Sequence, residues 1–335
     1  MQKVIRFLKN WTLPISMLFG TVVYLIFGLT PALDDVATSL APFFDTILPF
    51  FMFLILFVTF CKVNFHKMRP ARWHVGVSLF QLLFVILLVA AILGLRLKGK
   101  ELILAESILT CIIGPCAAAA AVVTAKLGGN LESMTTYTFI SNIVTAILIP
   151  IVFPLIDPQS ADMSFLVAFL IILRQVCLIL LVPMILAYLV KHYWQRFHRW
   201  VTGIKDLSYY LWGCSLTIVT GTTVKHIVHA DTTWHFLLLI AACSLMLCLV
   251  QFAVGRLIGK RYGCAIDAGQ ALGQKNTAFA IWIAYTYLTP LSSVGPGCYI
   301  LWQNIINSIE LYLQDKAGKL KATRSACLLW FILYH

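Results

Sequence analysis

The chain has 335 residues, of which 61% are hydrophobic and 11% charged, against roughly half and about a quarter in soluble domains. That balance belongs in a bilayer and excludes a large water-exposed catalytic domain, since ten spans of about 20 residues would leave only short connections. The formal charge of +12 bears first on membrane topology rather than on nucleic acid, because Lys and Arg concentrate in cytoplasmic loops.

Apolar runs between charged or turn-rich breaks mark ten candidate spans in chain order: 11–31, 40–61, 73–95, 102–125, 131–156, 163–190, 206–229, 232–257, 264–288 and 291–313. Runs this long and continuously apolar predict helices, because membrane strands alternate over about ten residues. The expected fold is an all-α membrane protein with one polytopic domain over residues 1–315 and a cytoplasmic tail over 316–335. The first run, Trp11 to Pro31, follows Lys3, Arg6 and Lys9 as in a signal peptide, but it is long enough to span and reads as a retained helix.

Placing the loops alternately on two sides puts nineteen Lys and Arg on one side and four on the other, namely Arg96, Lys98, Lys100 and Lys225. The positive-inside tendency then puts both termini in the cytoplasm of a multi-pass cell-membrane protein, with Asp34, Asp35 and Asp157 outside. The cluster from Arg96 to Lys100 is discordant. The ten cysteines lie mostly in apolar runs without a C-x-x-C pair, and read as packed thiols rather than disulfides or metal ligands. Ser325 to His335 are apolar but too short to cross, so an interfacial anchor and an unusual chain end are both open readings.

Span four is interrupted by Gly114-Pro115, and span nine by Gly273-Gln274-Lys275-Asn276 at about the same relative position. These are the fourth spans of two five-span halves, about 11–156 and 163–313. A five-helix unit ends on the side opposite its start, so a second copy must be inverted, and paired broken helices point to a transport site near the midplane. Pro115 has no amide hydrogen and suits the first position of a helix. A half-helix is therefore expected to restart there, with free amides and a positive dipole end that attract anions. The run from Ala117 to Ala121 has little side-chain volume and allows close approach of a helix or substrate. Singly, these features read as a kink and as ordinary helix packing; their pairing with the second break favours a site.

The segment GPCAAAAAVVTAKLGGNLESMTTYTFISNIVTAILIP, from Gly114 to Pro150, and the segment QALGQKNTAFA, from Gln270 to Ala280, resemble the two crossing-helix motifs of the bile acid:sodium symporter family. Leu48 to Phe53, Gln81, Gln303 and Asn304 support the resemblance. It implies ten helices, with spans four and nine crossed in a core of spans three to five and eight to ten, and a panel of spans one, two, six and seven. It also implies organic anion substrates such as bile acids or small carboxylates.

The departures are as informative. Where the resemblance implies polar sodium ligands this chain has Ala120, Ala121 and Met134, leaving Thr138, Asn142 and Gln81 as oxygen donors. The family's ligating acid falls on Ala271 and its ligating glutamine on Lys275, while Gly273 and Asn276 match. Both inherited sodium sites therefore look dismantled. Lys275 lies about 16 Å from either end of its span, too deep for its stem to snorkel, and a charge there costs roughly 2.5–3.5 kcal/mol on insertion scales. It reads as a functional cation, or as a structural one bonded to carbonyls freed by the break. Arg174 lies about ten residues into span six and reads as a possible gating or charge partner. Asp267, Glu101, Glu106, Glu132 and Glu310 fall towards span ends or in loops, so no acid is expected beside Lys275.

The expected function is a secondary transporter of small organic anions, working by alternating access in the lipid bilayer without cofactor, metal or nucleic acid. Gly114, Pro115, Gln81, Thr138, Asn142, Gln274, Lys275, Asn276 and Thr277 are the expected substrate-binding residues. Sodium coupling through relocated ligands and a non-transporting receptor on the same fold are the alternatives. An intramembrane enzyme is disfavoured because no nucleophile and base converge at depth.

Overall fold

Every regular element among the described residues is helical. The computed structural model describes residues 12–30, 33–64, 67–156, 164–204, 207–229 and 232–322. The cations Lys3, Arg6, Lys9 and Lys205, the acid Asp157 and the apolar stretch Ser325–His335 lie outside the described residues. The helices are α1 (Thr12–Leu29), α2 (Asp34–Cys61), α3 (Arg72–Gly94), α4 (Gly99–Ile113), α5 (Ala120–Lys126), α6 (Leu131–Ile156) and α7 (Phe165–Leu180). They continue with α8 (Val182–Tyr193), α9 (Gln195–Gly203), α10 (Leu207–Val228), α11 (Trp234–Lys260), α12 (Ala265–Gly273), α13 (Thr277–Tyr287), a 3-10 turn (Pro290–Ser293) and α14 (Val294–Ala322).

Among the described residues four stretches, Arg72–Gly94, Leu131–Ile156, Phe165–Tyr193 and Trp234–Lys260, are long and apolar enough to cross a membrane, and Ile15–Gly28 and Thr46–Cys61 are shorter apolar helices. Their outer faces carry the side chains a bilayer accepts. On α3, Leu79, Leu83 and Leu87 are exposed in one stripe at i, i+4, i+8, whereas Val77, Gln81 and Val85 are buried. Apolar residues on both faces suit a helix with protein on one side and hydrocarbon on the other.

Two sets of helices pack most closely. α1 lies along α10, and α2 packs on both α10 and α8, while α11 lies along α12 and α14 and α3 packs on α4; α6 lies along α7 between the two sets. Two glycines permit this proximity: a Cβ on Gly20 would stand 2.1 Å from Thr217 O on α10, and one on Gly255 would stand 2.3 Å from Ala268 O on α12.

Some boundaries differ from the sequence reading for local reasons. Span six is divided at Leu181 because Pro183 cannot donate to the Ile179 carbonyl and crowds it, so α7 gives way to α8 there. Helix α14 continues to Ala322, into the segment expected as tail, because the Lys, Ala and Leu residues there are good helix formers. In the discordant cluster, Lys100, in the first turn of α4, has its Nζ 5.7 Å above the centre of the Phe236 ring, a cation–π contact that gives one of the charges a local partner.

Candidate site at the crossing of the interrupted helices

The two breaks meet. Cys116 and Lys275 pair as an isolated antiparallel bridge, in which Ala117 N donates to Gln274 O at 2.9 Å and Asn276 N donates to Pro115 O at 2.8 Å. Extended backbone inside a membrane must find hydrogen-bond partners within the protein, and here each break supplies the other's. This corrects the expected restart at Pro115: the chain is non-helical from Gly114 to Ala119, and α5 begins at Ala120. The first two amides after Pro115 are engaged within the protein, Cys116 N with Ser141 Oγ at 2.8 Å and Ala117 N with Gln274 O.

The carbonyls at the end of α4 are capped by side chains from other helices. Gln251 Nε2 donates to Cys111 O at 3.4 Å, Gln81 Nε2 to Ile113 O at 3.1 Å, and Thr145 Oγ1 to the same oxygen at 3.0 Å. Lys275 Nζ donates to Ile112 O at 3.0 Å and to Gly114 O at 3.2 Å. An ammonium thus stands at the negative end of the α4 dipole, where a cation is stabilised. The Lys275 side chain is almost wholly buried, with 1% exposure, and makes no ion pair among the described residues. Its backbone is clamped by Gln303, whose Oε1 accepts from Lys275 N at 2.9 Å and whose Nε2 donates to Lys275 O at 3.2 Å. The end of α12 is capped in turn by Tyr299, whose hydroxyl donates to Gly273 O at 2.8 Å.

Beyond the second break, α13 starts with Asn276 as its N-cap, the side-chain oxygen accepting from Phe279 N at 3.3 Å. Thr277 N donates to Lys275 O at 2.9 Å. Behind the crossing, Thr138 Oγ1 donates to Met134 O at 3.1 Å, and Asn142 Nδ2 donates to Met184 Sδ at 3.6 Å.

A cavity of about 1550 Å³ lies against the crossing. Ala117, Ala118, Ala119 and Ala121 form one part of its wall with Gln274, Lys275, Asn276, Thr277 and Ala278. Met17 and Thr21 of α1, Met52 and Thr59 of α2, and Trp212 and Thr220 of α10 face it from the other helix set. Polar side chains of α14, Gln303, Asn304, Asn307 and Ser308, line a further strip. Lys62, Lys67 and Lys126 also border it; all three are exposed, and Lys67 is paired with Glu132 at 3.1 Å. The volume exceeds the roughly 300–1,000 Å³ of a drug-sized site, leaving room for an amphipathic molecule and water.

Of the residues expected in the site, Gln274, Lys275, Asn276 and Thr277 border the cavity. Gly114, Pro115 and Gln81 belong to the crossing itself, and Thr138 and Asn142 are buried behind it. Arg174 is exposed on α7 and does not border the cavity. The neighbouring Gln175 accepts from the Tyr287 hydroxyl at the far end of α13. That end lies ten residues past Thr277, about 15 Å from the crossing. Two acids expected at span ends are buried, Glu106 at 0% and Asp267 at 5% exposure. Glu106 Oε2 accepts from Thr289 N beside the 3-10 turn, and Asp267 Oδ1 accepts from Asn130 N.

Ala120, Ala121, Met134 and Ala271 are buried and offer no side-chain oxygen. Lys275 puts an ammonium where the resemblance implies a glutamine oxygen, bonded to the Ile112 and Gly114 carbonyls. Sodium prefers oxygen ligands with negative character, so this donor set does not fit it. Among the described residues, no group of three or more His, Cys, Asp or Glu converges on a metal position.

Apolar helices of membrane-crossing length, with interrupted helices meeting beside a large cavity, define a polytopic membrane protein built as transporters are. The sequence matches the sodium bile acid symporter family over residues 49–230, and the chain belongs to that family. It is thus a membrane transporter of the bile acid symporter kind. The match takes in the first break and ends before the second. No curated protein matches the chain.

Proposed function

We propose that the protein is a secondary transporter of small organic anions that works by alternating access without sodium at the family's two positions. In this reading ten spans form an inverted five-plus-five repeat with both termini in the cytoplasm. The panel of spans one, two, six and seven, formed by α1, α2, α7, α8 and α10, moves against the set that carries the crossing. Lys275 acts as a tethered cation, holding between the crossed helices the charge that a bound ion would contribute. The substrate lies in the cavity against Gln274, Asn276 and Thr277, within the field of that charge, and the alanine run leaves space for its apolar body.

The observation that carries the reading is the Lys275 ammonium on the Ile112 and Gly114 carbonyls. It satisfies the end of α4 from within the chain, directly behind the cavity wall. Counterflow in proteoliposomes with a panel of labelled carboxylates tests it. Exchange of at least one carboxylate supports the transporter. Saturable binding without exchange makes the protein a receptor on the same fold.

A further inference from the structure

Helix α9, Gln195–Gly203, differs from the other short helices in place, since α5 and α12 belong to the crossing and α9 does not. At nine residues it rises about 13 Å, too short to cross a bilayer. It begins immediately after the Phe165–Tyr193 stretch that is long enough to cross, so it lies at a membrane surface. Its inner face is docked on α2: Phe197 packs on Phe57 with ring centres 6.3 Å apart, His198 Nε2 lies 2.8 Å from Cys61 O, and Val201 is buried.

The outer face is basic and aromatic. Arg196 and Arg199 are exposed and make no ion pair among the described residues. Trp194 and Trp200 are 61% and 62% exposed, although their rings stack on Phe197 with centres 4.9 Å and 5.6 Å away. Arg196 and Trp200, four residues apart, share one flank of the helix. From Val190 to Ile204 the sequence holds Lys191, Arg196 and Arg199 and no acid. Lys191 is turned inward to Val63 O at 2.7 Å, which leaves the two arginines as the outward charges.

We infer that α9 is a docking surface for anionic phospholipid headgroups at the face of the bilayer where it lies. Trp side chains favour the headgroup level, where the ring is in apolar surroundings and the indole N–H finds a partner. Guanidinium groups bind phosphate oxygens through paired N–H donors. Side by side on a helix fixed at the membrane edge, they match a headgroup that carries a phosphate and no compensating amine. The inner contacts to Phe57 and Cys61 then join the bound lipid to α2, one wall of the cavity.

The test uses the full-length protein in zwitterionic micelles, titrated with phosphatidylglycerol or phosphatidylcholine, with bound lipid counted by native mass spectrometry and thermal unfolding followed in parallel. Phosphatidylglycerol is expected to bind and raise the unfolding temperature, and phosphatidylcholine is not. In Arg196→Gln/Arg199→Gln the apparent affinity for phosphatidylglycerol should fall about tenfold or more, as each basic side chain near an anionic surface contributes substantially to binding. Lys260→Gln/Arg261→Gln, which removes two exposed cations from the end of α11, should leave it unchanged. Equal loss in both variants would assign the effect to bulk charge and overturn the proposal, as would equal binding of the two lipids. If the double arginine variant elutes as aggregate, Arg199→Gln alone decides: an affinity equal to the wild type overturns the docking surface.

Discussion

Replacing Lys275 by Met separates the structural and functional roles of the buried ammonium. The substitution removes two hydrogen bonds, to Ile112 O and Gly114 O. Gly114 O keeps a long contact from Gln81 Nε2 at 3.4 Å, so the main loss is at Ile112 O, a buried acceptor whose desolvation costs about 1–3 kcal/mol. Losing the charge at the end of α4 removes up to about 2 kcal/mol more. Against these stands the relief of burying an ammonium, several kcal/mol after relaxation. The opposing terms are of similar size, so Lys275→Met should fold, with stability within about 2 kcal/mol of the wild type.

Substrate affinity has no such compensation. At an effective dielectric of about 20, unit charges about 7 Å apart interact by about 2.4 kcal/mol, which corresponds to about 50-fold in affinity. The assay is equilibrium binding of a transported carboxylate to purified protein, after size-exclusion chromatography and thermal unfolding have established the fold. A folded Lys275→Met protein with wild-type affinity and flux would refute the tethered cation and leave a purely structural lysine.

Three further outcomes are expected. A reporter fused to the C-terminus should read as cytoplasmic, since the nineteen-to-four division of cations sets that topology; an external C-terminus would defeat the ten-span arrangement and the inverted repeat with it. Gly255→Val should lower the unfolding temperature by an amount equivalent to about 1–3 kcal/mol or more, because its Cβ would meet Ala268 O at 2.3 Å. Gly94→Ala, with nothing near the added atom, is the neutral control, and equal behaviour of the two would contradict the close packing of α11 on α12. Asn276→Ala should cost about 1 kcal/mol through loss of the α13 N-cap, and should reduce uptake more than that stability change explains; unchanged uptake would remove Asn276 from the site.

The helix breaks were legible because Gly-Pro and a Gln-Lys-Asn triplet are conspicuous in apolar surroundings. Their joining was not. The pairing of Cys116 with Lys275 uses backbone atoms alone, and backbone pairing leaves no mark on residue identity. For the same reason Pro115 looked like a helix start, when the amides after it are claimed by Ser141 and Gln274. Gln251, Thr145 and Tyr299 cap the half-helices, but a single polar residue in an apolar run does not say which carbonyl it meets. Their shared signal was a hydrogen-bonding group at membrane depth, which needs a partner inside the protein. In the sequence Lys62, Lys67 and Lys126 mark topology alone, and their place at the cavity follows from α2 and α5 both bordering it.

The central claim, organic anion transport that does not use sodium, is tested most directly by initial uptake of a labelled carboxylate into proteoliposomes, with sodium replaced by choline on both sides. With Lys275 in place of a ligating glutamine and Ala120, Ala121, Met134 and Ala271 offering no oxygen, saturable uptake at the same initial rate in both media is expected. A steep, saturable sodium requirement would contradict the account and direct attention to ligands elsewhere in the chain.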